Sequence, residues 1–366
     1  MAKIGKSLQE LAIEIERRAN AKKDFIAPVG RLEMQPSFDT ASGVALVVQN
    51  GENRKFNVNE LTNGQIAEYT GIPMPYYRRM LTSDPTLLST NVNRWLKGKE
   101  QDRRMVRTLD GTARAFLSDR FRPLENEELA EAVLPVLLDQ DLMVISSEIT
   151  ERRLYIKAVD RRIERDVPTG RKMGDGTHVF FDTVSPAITI SNSEVGAGAL
   201  SIETGVYTKV CTNLAMIGTN LRRYHTGARA AISDEVYALL TDQTKRATDA
   251  AVWLQVRDLV KSAFELAKFD AMIKKLGDAA EQKIEDDPVQ VIEKVGKRFN
   301  LLEGERTSVL RQLIEGADLS KYGIHAAITR ASQDVDSYDR ATELERIGGD
   351  VIELAPNEWR ELAVAA

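Results

Sequence analysis

The chain has 366 residues, 43% hydrophobic and 29% charged, with a net charge of −5, which suits one large globular domain or two ordinary ones. One cysteine, Cys211, excludes an intrachain disulfide and a cysteine-built zinc site, and three histidines (His178, His225 and His325) leave little for a histidine-rich metal site. There is no apolar run long enough for a membrane span and no signal-peptide pattern at the N-terminus, so a cytoplasmic protein without membrane contact is expected.

In chain order, residues 6–22 show a charged helical pattern. GVALVVQ (43–49) and RKFNVN (54–59) flank Asn50-Gly51, a hairpin signal. A short helix is expected to about Tyr69, another over PYYRRML, and a third from Asp84-Pro85 through Trp95. RRMVRTL and TARAFLS join through Asp110-Gly111, the central pair of a type I′ turn. Residues 126–140 are helical, 142–149 and 152–159 form a second hairpin, and 160–177 is expected to be an exposed loop. HVFFDT, AITISNS, ALSIET and VYTKVCT follow as short strands. Beyond about residue 230 the period is helical, with a break at Asp286-Asp287-Pro288. The expected fold is α+β: a mixed or antiparallel sheet of hairpins with packed helices over 1–230, then an all-helical domain over 231–366.

Charge divides along the same line. Residues 231–366 carry a net of −8 and residues 1–230 a net of +3. The basic excess concentrates in 71–125 and 152–172. A chain with a basic middle and an acidic tail can meet phosphate locally despite its overall sign.

In the Asp110-Gly111 hairpin, a two-residue loop sets Leu109 opposite Thr112, Arg107 opposite Arg114, and Met105 opposite Phe116. Facing arginines repel, so an anion is expected between them, either a carboxylate from another strand or a phosphate. Arg103, Arg104, Arg120 and Arg122 lie just outside. On 152–159, Leu154, Ile156 and Ala158 share one face, while Arg153, Tyr155 and Lys157 share the other. Cations around an aromatic ring suit single-stranded nucleic acid, and an ordinary solvated strand face fits equally. Of Tyr76 and Tyr77, one is expected in the core. RRYHTG adds Arg222, Arg223 and His225, for phosphate or for helix carbonyls.

SNSEVGAGALSI (191–202) poses a separate question: Asn192, Ser193 and Glu194 run into Gly196 and Gly198 between two strands. Glycines permit close backbone approach and an anion nest, but a carboxylate inside it repels phosphate. A tight inter-strand loop is expected, with Glu194 bracing Arg222 or Arg223. His178, Asp182 and Glu194 could instead surround a metal. Neither GxxxxGK[ST] nor GxGxxG occurs, and no cofactor is implied.

RTLDGTARAFLSDRFRPLEN, ERRLYIKAV, SNSEVGAGALSI, VCTN and RRYHTG, in that order over residues 60–230, resemble the phage/plasmid-related family known as domain of unknown function 932. Leu214 stands where many members have glycine after VCTN. The resemblance implies a bacterial, mobile-element setting and DNA metabolism. The outline is similar to single-strand annealing proteins of recombination.

The leading expectation is therefore a non-enzymatic binder of single-stranded DNA, forming homo-oligomers, that uses the basic residues named above. Two alternatives stay open. One is a metal-dependent enzyme on nucleic acid or nucleotides. The other is an interaction protein, such as a host-defence antagonist, that reaches a protein partner through its acidic helices.

Overall fold

The computed structural model describes residues 5–37, 43–50, 52–172, 179–209, 213–223 and 241–364. Its elements run α1 (Leu8–Ala21), β1 (Phe25–Pro28), β2 (Leu32–Pro36), β3 (Val44–Asn50), β4 (Glu52–Val58), α2 (Glu60–Thr70), α3 (Met74–Ser83), α4 (Pro85–Lys97), β5 (Arg103–Leu109) and β6 (Thr112–Ser118). Then come α5 (Asn126–Asp139), β7 (Met143–Ile149), β8 (Leu154–Val159), β9 (Arg165–Lys172), β10 (Val179–Asn192), β11 (Leu200–Thr208) and β12 (Asn213–Arg223). The helices α6 (Asp242–Ser262), α7 (Leu266–Glu281), α8 (Pro288–Arg298), α9 (Glu303–Gly316), α10 (Lys321–Ala331), α11 (Tyr338–Glu353) and α12 (Pro356–Ala363) complete the α+β fold.

Two sheets carry the structure. The first has strand order β1-β5-β6-β4-β3-β2. It is antiparallel apart from the β4–β6 pair, where Asn57 faces Thr112. A parallel pair needs a crossover, and α2, α3 and α4 supply it. Their apolar faces, including Ile66, Tyr77, Met80, Leu88 and Val92, pack with Met34, Leu46 and Val106 of the sheet. Tyr77 is buried and Tyr76 is exposed, as the helical spacing requires. Asp84 caps α4 by accepting from the Leu87 amide, with Pro85 in the first turn.

The second sheet has strand order β12-β11-β10-β8-β7, and β9 pairs with the first half of β10. Residues 165–172, expected in a loop, therefore form a strand. Arg165 and Asp166 are exposed while Val167 is fully buried, an alternation that Pro168 and Gly170 obscure in the sequence. VFFDT of the first expected segment and AITISN of the second belong to one strand of 14 residues, running through Pro186.

Ile156, Ala158, Ile188, Ile190 and Ile202 pack against α1, α5 and α6, including Val252, Val256 and Val260. Val167, Val184 and Val206 pack with Phe269 and Leu276 of α7 and with Tyr322 of α10. The helices after residue 241 thus share hydrophobic cores with strands before residue 223. The change in periodicity near 230 does not separate two cores. A third cluster, among them Val291, Val309, Ile328, Leu344 and Trp359, lies wholly within α8–α12 and the segments joining them.

α11 approaches β12 closely enough that a Cβ on Gly349 would lie 1.6 Å from the Met216 carbonyl oxygen. Gly349→Ala must push the helix away from a strand backbone that cannot yield. We expect it to lower stability by about 1–3 kcal/mol. Gly304→Ala, with nothing within 4 Å of the new methyl, is expected to be neutral or slightly stabilising. Urea midpoints of the two variants test the contrast.

Candidate nucleic-acid interface

The arginine hairpin departs from ideal register. Leu109 faces Thr112, but a bulge at Arg114 sets Arg107 opposite Ala115 and Met105 opposite Leu117. The two arginines are not directly paired across the strands, yet both turn inward. Arg107 is fully buried. Its Nε and Nη2 reach Asp24 at 2.8 and 2.7 Å, Nη2 also reaches Glu125 at 2.7 Å, and Nη1 donates to the Glu194 carbonyl at 2.7 Å. Arg114 Nη1 meets Glu194 Oε2 at 2.8 Å, and the Asn126 amide donates to Glu194 Oε1 at 2.8 Å. Lys22 closes the set on Glu125 at 2.9 Å.

The anion expected between the arginines is therefore a carboxylate. Glu194 braces Arg114 rather than Arg222 or Arg223. Burial opposes ionisation of Glu194, but Arg114, a hydrogen bond from Glu125, Arg107 and the Asn126 amide outweigh it and hold the group at about 2. Glu125 moves the opposite way, raised by burial against the pull of Arg107 and further raised by Glu194.

The rest of the loop is also tied down. Asn192 Nδ2 donates to the Leu124 carbonyl at 2.7 Å, Ser193 Oγ to the Arg152 carbonyl at 2.7 Å, and the Ala197 amide to Ser193 Oγ at 2.9 Å. Gln65 of α2 donates to the Val195 carbonyl at 2.8 Å and accepts from the Phe116 amide at 2.7 Å. Gly196 has φ of 75°, the left-handed region that glycine adopts without strain. Gly198 meets Arg153, since a Cβ there would lie 1.2 Å from Arg153 Nη2.

The second expected basic face is buried as well. Tyr155 donates to Asp339 at 2.7 Å, Lys157 reaches Glu345 at 2.6 Å, and Arg346 grips Glu203 through two bonds of 2.7 and 2.6 Å. α11 covers this face. Arg107, Arg114, Tyr155 and Lys157 are thus corrected from a strand-binding surface to interior groups. In each case the physical reason is the same: a carboxylate from a distant segment desolvates with the side chain.

Other expected positions scatter. Arg103 and Arg222 are exposed at strand ends, Arg120 and Arg122 lie in the turn after β6, and Arg223 ends β12. His178, Cys211 and His225 lie outside the described residues. Asp182 accepts from Tyr322 at 2.7 Å. Ten residues of β10 lie between it and the loop that carries Glu194, about 33 Å at roughly 3.3 Å per residue. One metal cannot bridge them, and no metal-holding cluster occurs among the described residues.

What the structure assembles instead is a cleft of about 680 Å³ between α2, β6 and the 193–199 loop. Its lining includes Gly64, Tyr69, Arg78, Arg104, Phe116, Arg152, Gly196 and Ala197. The Arg104 guanidinium lies 4.4 Å from the Tyr69 ring centre and 5.0 Å from that of Phe116. Its Nη2 donates to the Phe116 carbonyl at 3.2 Å, while its buried Nε has no partner among the described residues. Lys99 sits 4.2 Å from the same tyrosine ring. Burial lowers the Arg104 pKa, and the group remains a cation. Of the cleft residues, the sequence reading singled out Arg104 and Gly196. Phe116 is set by the sequence on the face of the arginine hairpin, while nothing local separates Tyr69 from a core aromatic.

No family model, no curated protein and no solved structure matches the chain.

Replacing Glu194 by glutamine leaves Arg114 buried without a counter-charge. We expect Glu194→Gln to cost about 3–5 kcal/mol at neutral pH. Because folding depresses the Glu194 pKa, its contribution is present above about 4.5 and is lost as pH falls towards about 2. The raised Glu125 pKa acts in the opposite sense, contributing below its unfolded value and fading as pH rises through its folded one. Stability measured by denaturant melts from pH 7 to 3 is expected to fall less steeply on the acid side in Glu194→Gln than in the native protein.

Proposed function

We propose that the chain is a non-enzymatic binder of single-stranded nucleic acid, with the cleft beside the 193–199 loop as its site. The observation that carries this reading is Arg104. Its guanidinium is held on two aromatic rings in a cleft wall, and it makes no ion pair with a described residue. Cation–π contact positions an arginine without neutralising it, so its charge is available to phosphate. Aromatic and guanidinium planes also stack bases in a sequence-tolerant way. Arg78 and Arg152 extend the basic lining, although Arg78 is shared with Glu60 at 2.7 Å. The ordered resemblance to a phage/plasmid-related family supports DNA of a mobile element as the natural strand, with annealing or recombination as the process served.

Binding of a labelled single-stranded oligonucleotide, against a duplex control at two salt concentrations, tests the proposal. We expect preference for the single strand and steep weakening with salt. Arg104→Met is expected to weaken binding about tenfold, the scale of one lost stacking or phosphate contact. Gly64→Leu projects into open space in the cleft and improves helix propensity by up to about 1 kcal/mol. It should therefore block the strand without lowering the melting temperature. Undiminished affinity in both variants would sink the reading.

A further inference from the structure

Arg107 and Arg114, whose side chains pack against the 191–202 loop, each hold a carboxylate. Arg152 and Arg153, which flank the same loop, do not: neither guanidinium forms an ion pair with a described residue. Arg153 is half-buried and brings the end of its guanidinium against Gly198. The position of a Cβ there falls 1.2 Å from Nη2, 2.3 Å from Cζ and 2.7 Å from Nε, so Nη2 occupies the space that a side chain would take. Arg152 lines the cleft, and Ser193 fixes its backbone by donating to its carbonyl at 2.7 Å. Ser193 in turn accepts from the Ala197 amide, so the loop and the backbone at Arg152 are tied together. An arginine kept for structure would be expected to bring its carboxylate, as its two neighbours do. Two arginines adjacent in the chain, neither with a side-chain hydrogen bond to a described residue, instead keep donors that suit the oxygens of a phosphate.

We infer that Arg152 and Arg153 form a phosphodiester subsite next to the cleft, and that Gly198 is glycine so that Arg153 can lie there. The inference rests on the single-strand reading: a base enters beside Tyr69 and Arg104, and the backbone phosphate that follows it meets Arg152 and Arg153.

The test is the salt dependence of binding to a labelled single-stranded oligonucleotide for the native protein, Arg153→Met, Gly198→Ala and the double variant, with Arg104→Met alongside. Each single change at the subsite is expected to weaken binding several-fold. Each should also reduce the log–log salt slope by about one, because one phosphate contact is lost. The double variant should show no further loss, since both changes remove the same contact. Gly198→Ala keeps every charge and displaces only the end of a flexible side chain, so a general effect of net charge predicts no change in it. Unchanged affinity and slope in both Gly198→Ala and Arg153→Met, with Arg104→Met still impaired, would overturn the subsite and leave the cleft standing. A native protein that binds no strand, or one indifferent to Arg104→Met, would overturn the cleft and the subsite together.

Discussion

The arrangement depends on one buried charge network, in which Arg107 and Arg114 of the first sheet meet Glu194 at the end of the second. A fully buried arginine is affordable only when its donors are met, and Arg107 satisfies three nitrogens from three different segments. Glu194 is used twice over, its carbonyl by Arg107 and its carboxylate by Arg114 and the Asn126 amide. That double use fixes both the backbone and the side chain at the point where β10 leaves the sheet. The turn that follows, with Gly196 in the left-handed region, is set as a consequence, and so is one wall of the cleft.

The same logic operates on the far side of the second sheet. Its polar residues are matched by α11, which offers Asp339 to Tyr155, Glu345 to Lys157 and Arg346 to Glu203. Thus part of the acidic excess after residue 230 and part of the basic excess before it are two halves of one interface. Burial raises the Glu345 pKa against the pull of Lys157. The hydroxyls of Thr189, Ser191, Ser201 and Thr342 are buried without a hydrogen-bond partner among the described residues.

Much of the fold was legible because hairpins and helices announce themselves locally. Asp110-Gly111, Asp84-Pro85 and the alternation of Leu154, Ile156 and Ala158 each specify geometry within a few residues. β9 was not legible, because Pro168 and Gly170 sit in the segment that pairs with half of a long strand. The bulge at Arg114 was not legible either, since a two-residue turn predicts perfect register until something pulls a side chain inward. What pulls Arg114 inward is Glu194, 80 residues away. For Lys157 and Glu345 the separation is 188. Local sequence shows that a strand carries cations, and it cannot show which of them will find a carboxylate.

That distinction sorts the arginines by physical role. Arg107 and Arg114, paired with carboxylates, give up their charge to the fold, and their burial is the evidence of it. Arg104 is placed differently, on aromatic rings, while Arg153 ends against the Gly198 backbone and Arg152 is exposed on the cleft lining. Stacking on a ring restricts the Arg104 guanidinium without cancelling its charge. In a chain of net charge −5, these three cations are left without a carboxylate partner among the described residues. They are gathered around one loop because the buried network beneath that loop holds it still.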